Sequence, residues 1–191
     1  VGPVVVQGIL FLFALATLCF GASKFLAGDV MRLLVSSDEI WEATMEFLNW
    51  RIFGFFFSFI NVMFRAFFVG VTRTKVLTLN AVIMALTNVV LDYLLIFGHG
   101  GFPEMGIKGA AIASVIAEAV SVVFFFTYTF LTVDRKKYGL DKLRTFDFKL
   151  LMQVLNISSF TMMQYFVSMS TFFLFFIVVE KLGQQPLAIA N

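Results

Sequence analysis

Apolar residues run through this chain in five long stretches, with none of the two-residue alternation of strands. The stretches are Val4 to Ser23, Ile52 to Thr72, Val76 to Gly98, Gly109 to Val133 and Leu150 to Val179. A helix rises 1.5 Å per residue and a bilayer hydrocarbon core is about 30 Å thick, so about 20 apolar residues suffice to cross it. All five are long enough; the last two exceed the need, which predicts tilt or protrusion. Runs such as FGFFFSFINVMF and VVFFFTYTF lack the roughly ten-residue alternation of a membrane β-barrel strand. Helices satisfy their own backbone hydrogen bonds in lipid, so continuous apolarity suits them. The prediction is all-α: a polytopic helical membrane protein with five spans in this sequence.

The segments between the stretches set an orientation. Arg65, Arg73 and Lys75 sit at the junction of the second and third, while Arg135, Lys136, Lys137, Lys142, Arg144 and Lys149 fill the connector between the fourth and fifth. These two groups fall on one side of the membrane. The opposite loops carry Asp38, Glu39, Glu42 and Glu46 in one case and GHGGFPEMGIKG in the other. Basic loops stay inside, so residues 73–75 and 134–149 are expected in the cytoplasm, with Asn191 emerging outside. The connector 134–149 is the one long polar stretch, hence the expected domain boundary; a short amphipathic helix is expected there, the other reading being a basic cytoplasmic loop that fixes topology and touches anionic lipid.

Composition agrees with a lipid solvent: 60% of residues are hydrophobic and 14% charged, against about a quarter charged in soluble domains. The net charge of +2 is small, and its clusters carry no nucleic-acid pattern. Cys19, the lone cysteine, excludes an internal disulfide framework and multi-cysteine metal sites. No nucleophile set, phosphate loop or metal motif appears, and His99 is expected to be a solvated loop residue. The chain is therefore not expected to be an enzyme or to carry a cofactor. It starts at Val1 without methionine and is expected to be an internal fragment, completed by further helices of a longer chain.

Ionisable groups inside a span cost roughly 2.5–3.5 kcal/mol each, so the few that occur are functional candidates. Asp92 and Glu118 are the two well inside. Asn80, Thr87, Asn88 and Asp92 fall within roughly 140° on a helical wheel. Asn88 and Asp92 are one turn apart. Asp92 and Ser114 both lie about 8–9 Å from the outer ends of their spans and are expected to be level if those helices are neighbours. A carboxylate, an amide carbonyl and a hydroxyl are ligands for a hard cation such as Na⁺; Asp92 is equally suited to carry a proton, or could bond helices together. Glu118 lies on a stripe with Ser114, Ser121 and Tyr128, either as a second titrating or substrate-facing group or as the partner of a nearby cation. In the fifth stretch Gln153, Asn156, Gln164, Ser168 and Thr171 share a face beside Met162, Met163 and Phe166. Gln164, Ser168 and Met163 suit a cavity for amphipathic organic molecules.

The stretch from Arg65 to Glu118 resembles the multidrug and toxic compound extrusion (MATE) family. The likeness rests on the TRTK turn, then NVVLDYLLIFG, then GFPEMGIKGAAIAS, and more weakly on LGQQPLAIAN at the end. It implies part of a two-lobe, twelve-helix transporter: residues 1–133 as most of the first lobe, 134–149 as the inter-lobe link, and 150–191 as the start of the second lobe. It further implies a first-lobe cation site at Asn88, Asp92 and Ser114, completed by a helix outside this sequence. The family's seventh-helix Glu matches Ser168, which favours coupling in the first lobe. By this resemblance the protein is an antiporter in the bacterial inner membrane. It would export cationic or amphipathic organic compounds in exchange for Na⁺ or H⁺, with membrane lipid around it and no nucleic-acid partner. The alternatives are a lipid-linked oligosaccharide flippase of the same superfamily and a non-transporting membrane scaffold subunit.

Overall fold

The computed structural model describes residues 2–34, 37–134 and 147–181, and the side chains of 4–33, 37–134 and 147–175. Regular structure among the described residues is helical: α1 (Gly2–Leu34), α2 (Asp38–Arg51), α3 (Gly54–Gly70), α4 (Lys75–Ile96), α5 (Gly106–Thr132) and α6 (Phe148–Lys181). The chain divides into two compact units, Val1–Arg144 with α1 to α5 and Thr145–Asn191 with α6. The amphipathic helix expected in the basic connector lies outside the described residues, as does the LGQQPLAIAN segment.

Helix boundaries depart from the apolar runs where α1 gives way to α2. α1 continues past Ser23 for a total of 33 residues, about 50 Å. No proline interrupts Ser23 to Leu34, and Arg32 in the last turn complements the negative end of the helix dipole. The acidic segment expected to be a loop is the helix α2. Ser37 enters it in an extended conformation, and Asp38 and Glu39 occupy its first turn, where the dipole favours negative charge.

α3 has 17 residues, too few to cross alone, and it meets α2 at a bend of 52°. Together the pair is long and apolar enough for a single span bent in the middle or for a re-entrant loop. α1, α4 and α5 are each long and apolar enough to cross a membrane. α6 carries the fifth stretch on 34 continuous residues, but Gln153, Asn156 and Gln164 keep its described part below the hydropathy of those three. Asp147 starts it: its Oδ1 accepts from the backbone N–H groups of Lys149 at 3.0 Å and Leu150 at 3.2 Å, satisfying donors that a helix N-terminus leaves open.

The core of the first unit sits at the end where α3 turns into α4. Phe64, Phe67 and Phe68 of α3 pack with Phe125 of α5, Val5 of α1 and Val76 of α4. Phe125 stacks on Phe64 at 5.4 Å and on Phe68 at 5.6 Å between ring centroids. Arg73, in the α3–α4 turn, closes this end by donating from Nη1 to the Thr132 carbonyl at 3.0 Å.

α4 and α5 are antiparallel neighbours at backbone distance. A Cβ on Gly109 would stand 2.6 Å from the Leu95 carbonyl oxygen, so this crossing needs a residue without a side chain. Small residues let membrane helices approach this closely. The buried Ala111, Ala113 and Ala117 continue the same economy of size along α5.

Candidate ion-coupling site

Asn88 and Asp92 sit one turn apart on α4. Their buried polar atoms, Asn88 Nδ2 and Asp92 Oδ1, have no hydrogen-bond partner among the described residues. A polar group withdrawn from water without a partner costs on the order of a lost hydrogen bond or more, so a pair of them on one face calls for a partner, whether an ion or a polar group of another helix. A cation needs oxygens; rotating the Asn88 amide by half a turn exchanges its Nδ2 for Oδ1. No cluster of three or more His, Cys, Asp or Glu stands among the described residues, so a cation here would depend on amide, hydroxyl and single-carboxylate oxygens.

The α4–α5 register corrects the expected level pairing of Asp92 with Ser114. Asn80 is bonded to Ser121 and Gly109 faces Leu95, so facing residue numbers add to 201–204. Ser114 therefore stands opposite Asn88. Asp92 stands opposite residues 109–112, about one turn nearer the α4–α5 loop. Equal depth counted from the ends of two apolar runs missed this because α5 starts at Gly106, ahead of the run.

Glu118 is held by a cation. Its carboxylate accepts from Arg51 Nη2 at 2.7 Å and from Nη1 at 3.2 Å, with side-chain exposures of 13% for Glu118 and 35% for Arg51. Arg51 is the last residue of α2. Gly54, the first of α3, makes the room: a Cβ there would overlap Arg51 Nη1 and stand 2.7 Å from Glu118 Oε2. The signal for this pair in the sequence is an Arg with a Gly three residues later, in a chain with a lone Glu in the middle of a later apolar stretch.

A chain of hydrogen bonds runs from α4 to the same place. Asn80 Nδ2 donates to Ser121 Oγ at 2.7 Å, Ser121 Oγ donates to Asn61 Oδ1 at 2.9 Å, and Asn61 Nδ2 donates to the Glu118 carbonyl at 3.1 Å. Asn80 and Ser121 are fully buried. Each group is satisfied by the next, so the network ties α3, α4 and α5 together at little desolvation cost.

The remaining candidates lie elsewhere. Gln164, Ser168 and Met163 are on α6, in the second unit, and exposed. His99 is exposed in the α4–α5 loop, where its ring stacks on Tyr93 at 4.3 Å.

A family model, MatE, matches residues 1–94, which include Asn88 and Asp92. The chain belongs to the MatE family. Relatives of this MatE chain are each described as a "Probable multidrug resistance protein NorM". That of Agrobacterium fabrum is 29% identical over 116 residues, 61% of this chain and 25% of the relative. The Rhizobium meliloti protein is 34% identical over 91 residues, covering 48% and 20%, and the Thermotoga maritima protein 31% over 104 residues, covering 54% and 22%. The MatE chain thus spans about a quarter or less of the length of the relatives it matches. With its long apolar helices, it is an integral membrane protein.

Proposed function

We propose that the protein is a secondary active antiporter that exports cationic or amphipathic organic compounds against an inward flow of Na⁺ or H⁺. The observation that carries this reading is the pair of unpartnered buried polar atoms on Asn88 and Asp92. Intramembrane carboxylates are costly, and they serve ion paths. In this reading Asp92 holds the coupling ion, with the Asn88 amide oxygen and the Ser114 hydroxyl as further ligands, and helices from the rest of the full-length chain complete the site. Ion binding then shifts the balance between inward-open and outward-open states. The setting is the bacterial inner membrane, with residues 73–75 and 134–149 in the cytoplasm. The NorM relatives, described as multidrug resistance proteins, support export of organic compounds.

The test is dye efflux from vesicles containing the full-length protein under imposed Na⁺ or pH gradients. Export follows one gradient in the wild type and falls to background with Asp92→Asn. Unchanged gradient-driven export in that variant would remove Asp92 from the mechanism.

A further inference from the structure

Cations in the first unit fall into two groups. Lys24 donates to Asn49, Arg32 pairs with Asp38, Arg51 pairs with Glu118, and Lys108 lies over the Trp50 ring. The others stand where α3 turns into α4. There Arg73 donates to the Thr132 carbonyl, while Arg65 and Lys75 are exposed and have no partner among the described residues. Asp134, just after α5, is the one acidic residue at this end among the described residues, and it is already engaged. Arg65 is not in the turn itself. It stands on α3, which ends at Gly70, about 7.5 Å from that end along the helix axis. Val62, Arg65 and Val69 fall within about 60° on a helical wheel. The two valines are 54% and 55% exposed, whereas Asn61, Phe64, Phe67 and Phe68 of the same helix are buried. Arg65 thus interrupts an uncovered apolar stripe near the end of a membrane helix.

We propose that this stripe of α3 binds an anionic phospholipid, with the phosphate at Arg65 and an acyl chain along Val62. A charge is costly at the centre of a bilayer and far less so near a helix end, where a long side chain reaches the headgroups. At that level the anion at hand is a lipid phosphate, to which a guanidinium donates two parallel N–H bonds. Lys75 and the exposed Arg73 add positive charge at the same end. Each cation near the surface strengthens the attraction to an anionic leaflet by about fivefold, which favours an anionic over a zwitterionic headgroup. The competing partner for Arg65 is a carboxylate on a helix elsewhere in the full-length chain. That pairing would neutralise Arg65 alone and leave Lys75 unmatched, whereas anionic lipid serves both. Lipid binding here does not depend on the antiporter reading.

The experiment puts a reporter indole on the stripe, with Val62→Trp in the full-length protein reconstituted into phosphatidylcholine bilayers. Dibrominated phosphatidylglycerol or dibrominated phosphatidylcholine is then added in increasing proportion. Bromine quenches an indole only at contact, so quenching beyond that of the protein without the reporter measures lipid lying against position 62. At low ionic strength the phosphatidylglycerol is expected to bind about fivefold more tightly than the phosphatidylcholine. Arg65→Gln should abolish this preference, and Arg65→Lys, which keeps the charge, should hold it to within about twofold. Val69→Trp, on the other side of Arg65, is a second reporter and should show the same preference. Equal quenching by the two lipids, or a preference that survives Arg65→Gln, would overturn the proposal. Absence of quenching at both reporters would mean that another helix covers the stripe, and would overturn it as well.

Discussion

The two arms of the bent α2–α3 pair are held by different forces. α3 is anchored by rings: Phe64, Phe67 and Phe68 are buried, and two of them stack on Phe125. α2 has no buried residue at all. It is fixed by polar clasps along its length: Arg32 to Asp38 at 2.6 Å and over the Trp41 ring at 4.2 Å, Lys24 to Asn49 at 3.1 Å, Lys108 over Trp50 at 5.5 Å, and Arg51 to Glu118. Ring packing is short-ranged and insensitive to salt, whereas ion pairs and cation–π contacts can open and re-form at modest cost. One continuous stretch of chain thus combines an end packed by rings with an end held by polar contacts.

Substitutions that break the comparison should differ in size accordingly. The largest effect is expected from Phe68→Ala, which empties a fully buried ring position and should lower the unfolding free energy of the solubilised protein by about 3 kcal/mol or more, read from its denaturation midpoint. Next comes Glu118→Gln. It leaves Arg51 half-paired at the break, for a loss of about 2 kcal/mol given the partial exposure of Arg51, and Arg51→Gln in the same chain should restore part of it. Ser121→Ala cuts the bonded chain between α3, α4 and α5 and should cost about 1–2 kcal/mol. The smallest effect belongs to Arg32→Gln at the exposed α1–α2 turn, about 0.5 kcal/mol or less, diminishing further in high salt. If Arg32→Gln cost as much as Phe68→Ala, the distinction between a packed and a clasped end would collapse.

The packed end was largely legible in the sequence and the clasped end was not. Long apolar runs announce lipid-crossing helices because the backbone must satisfy itself there, and the α4 and α5 stretches follow from that rule. α2 escaped it because its helix is stabilised by partners far away in sequence: Glu118 is 67 residues from Arg51. Asp38, Glu39, Glu42 and Glu46 read as a loop when judged by hydropathy alone, although acids in a first turn are also a helix signal. At the candidate site, the residue types and the turn between Asn88 and Asp92 could be read directly. The register against α5 could not, since it depends on where Gly109 meets Leu95, a contact fixed by three-dimensional packing.

The bend at Ile52 and Phe53 gives α2 the mechanics of a lever arm. Its 14 residues make an arm about 21 Å long, so a swing of about 10° at the elbow carries its far end by about 4 Å. The rings around Phe68, on the other side of the elbow, would feel almost none of that displacement. A straight helix of the same sequence would carry such a swing directly into the core; here a bend of 52° stands between the arm and the rings.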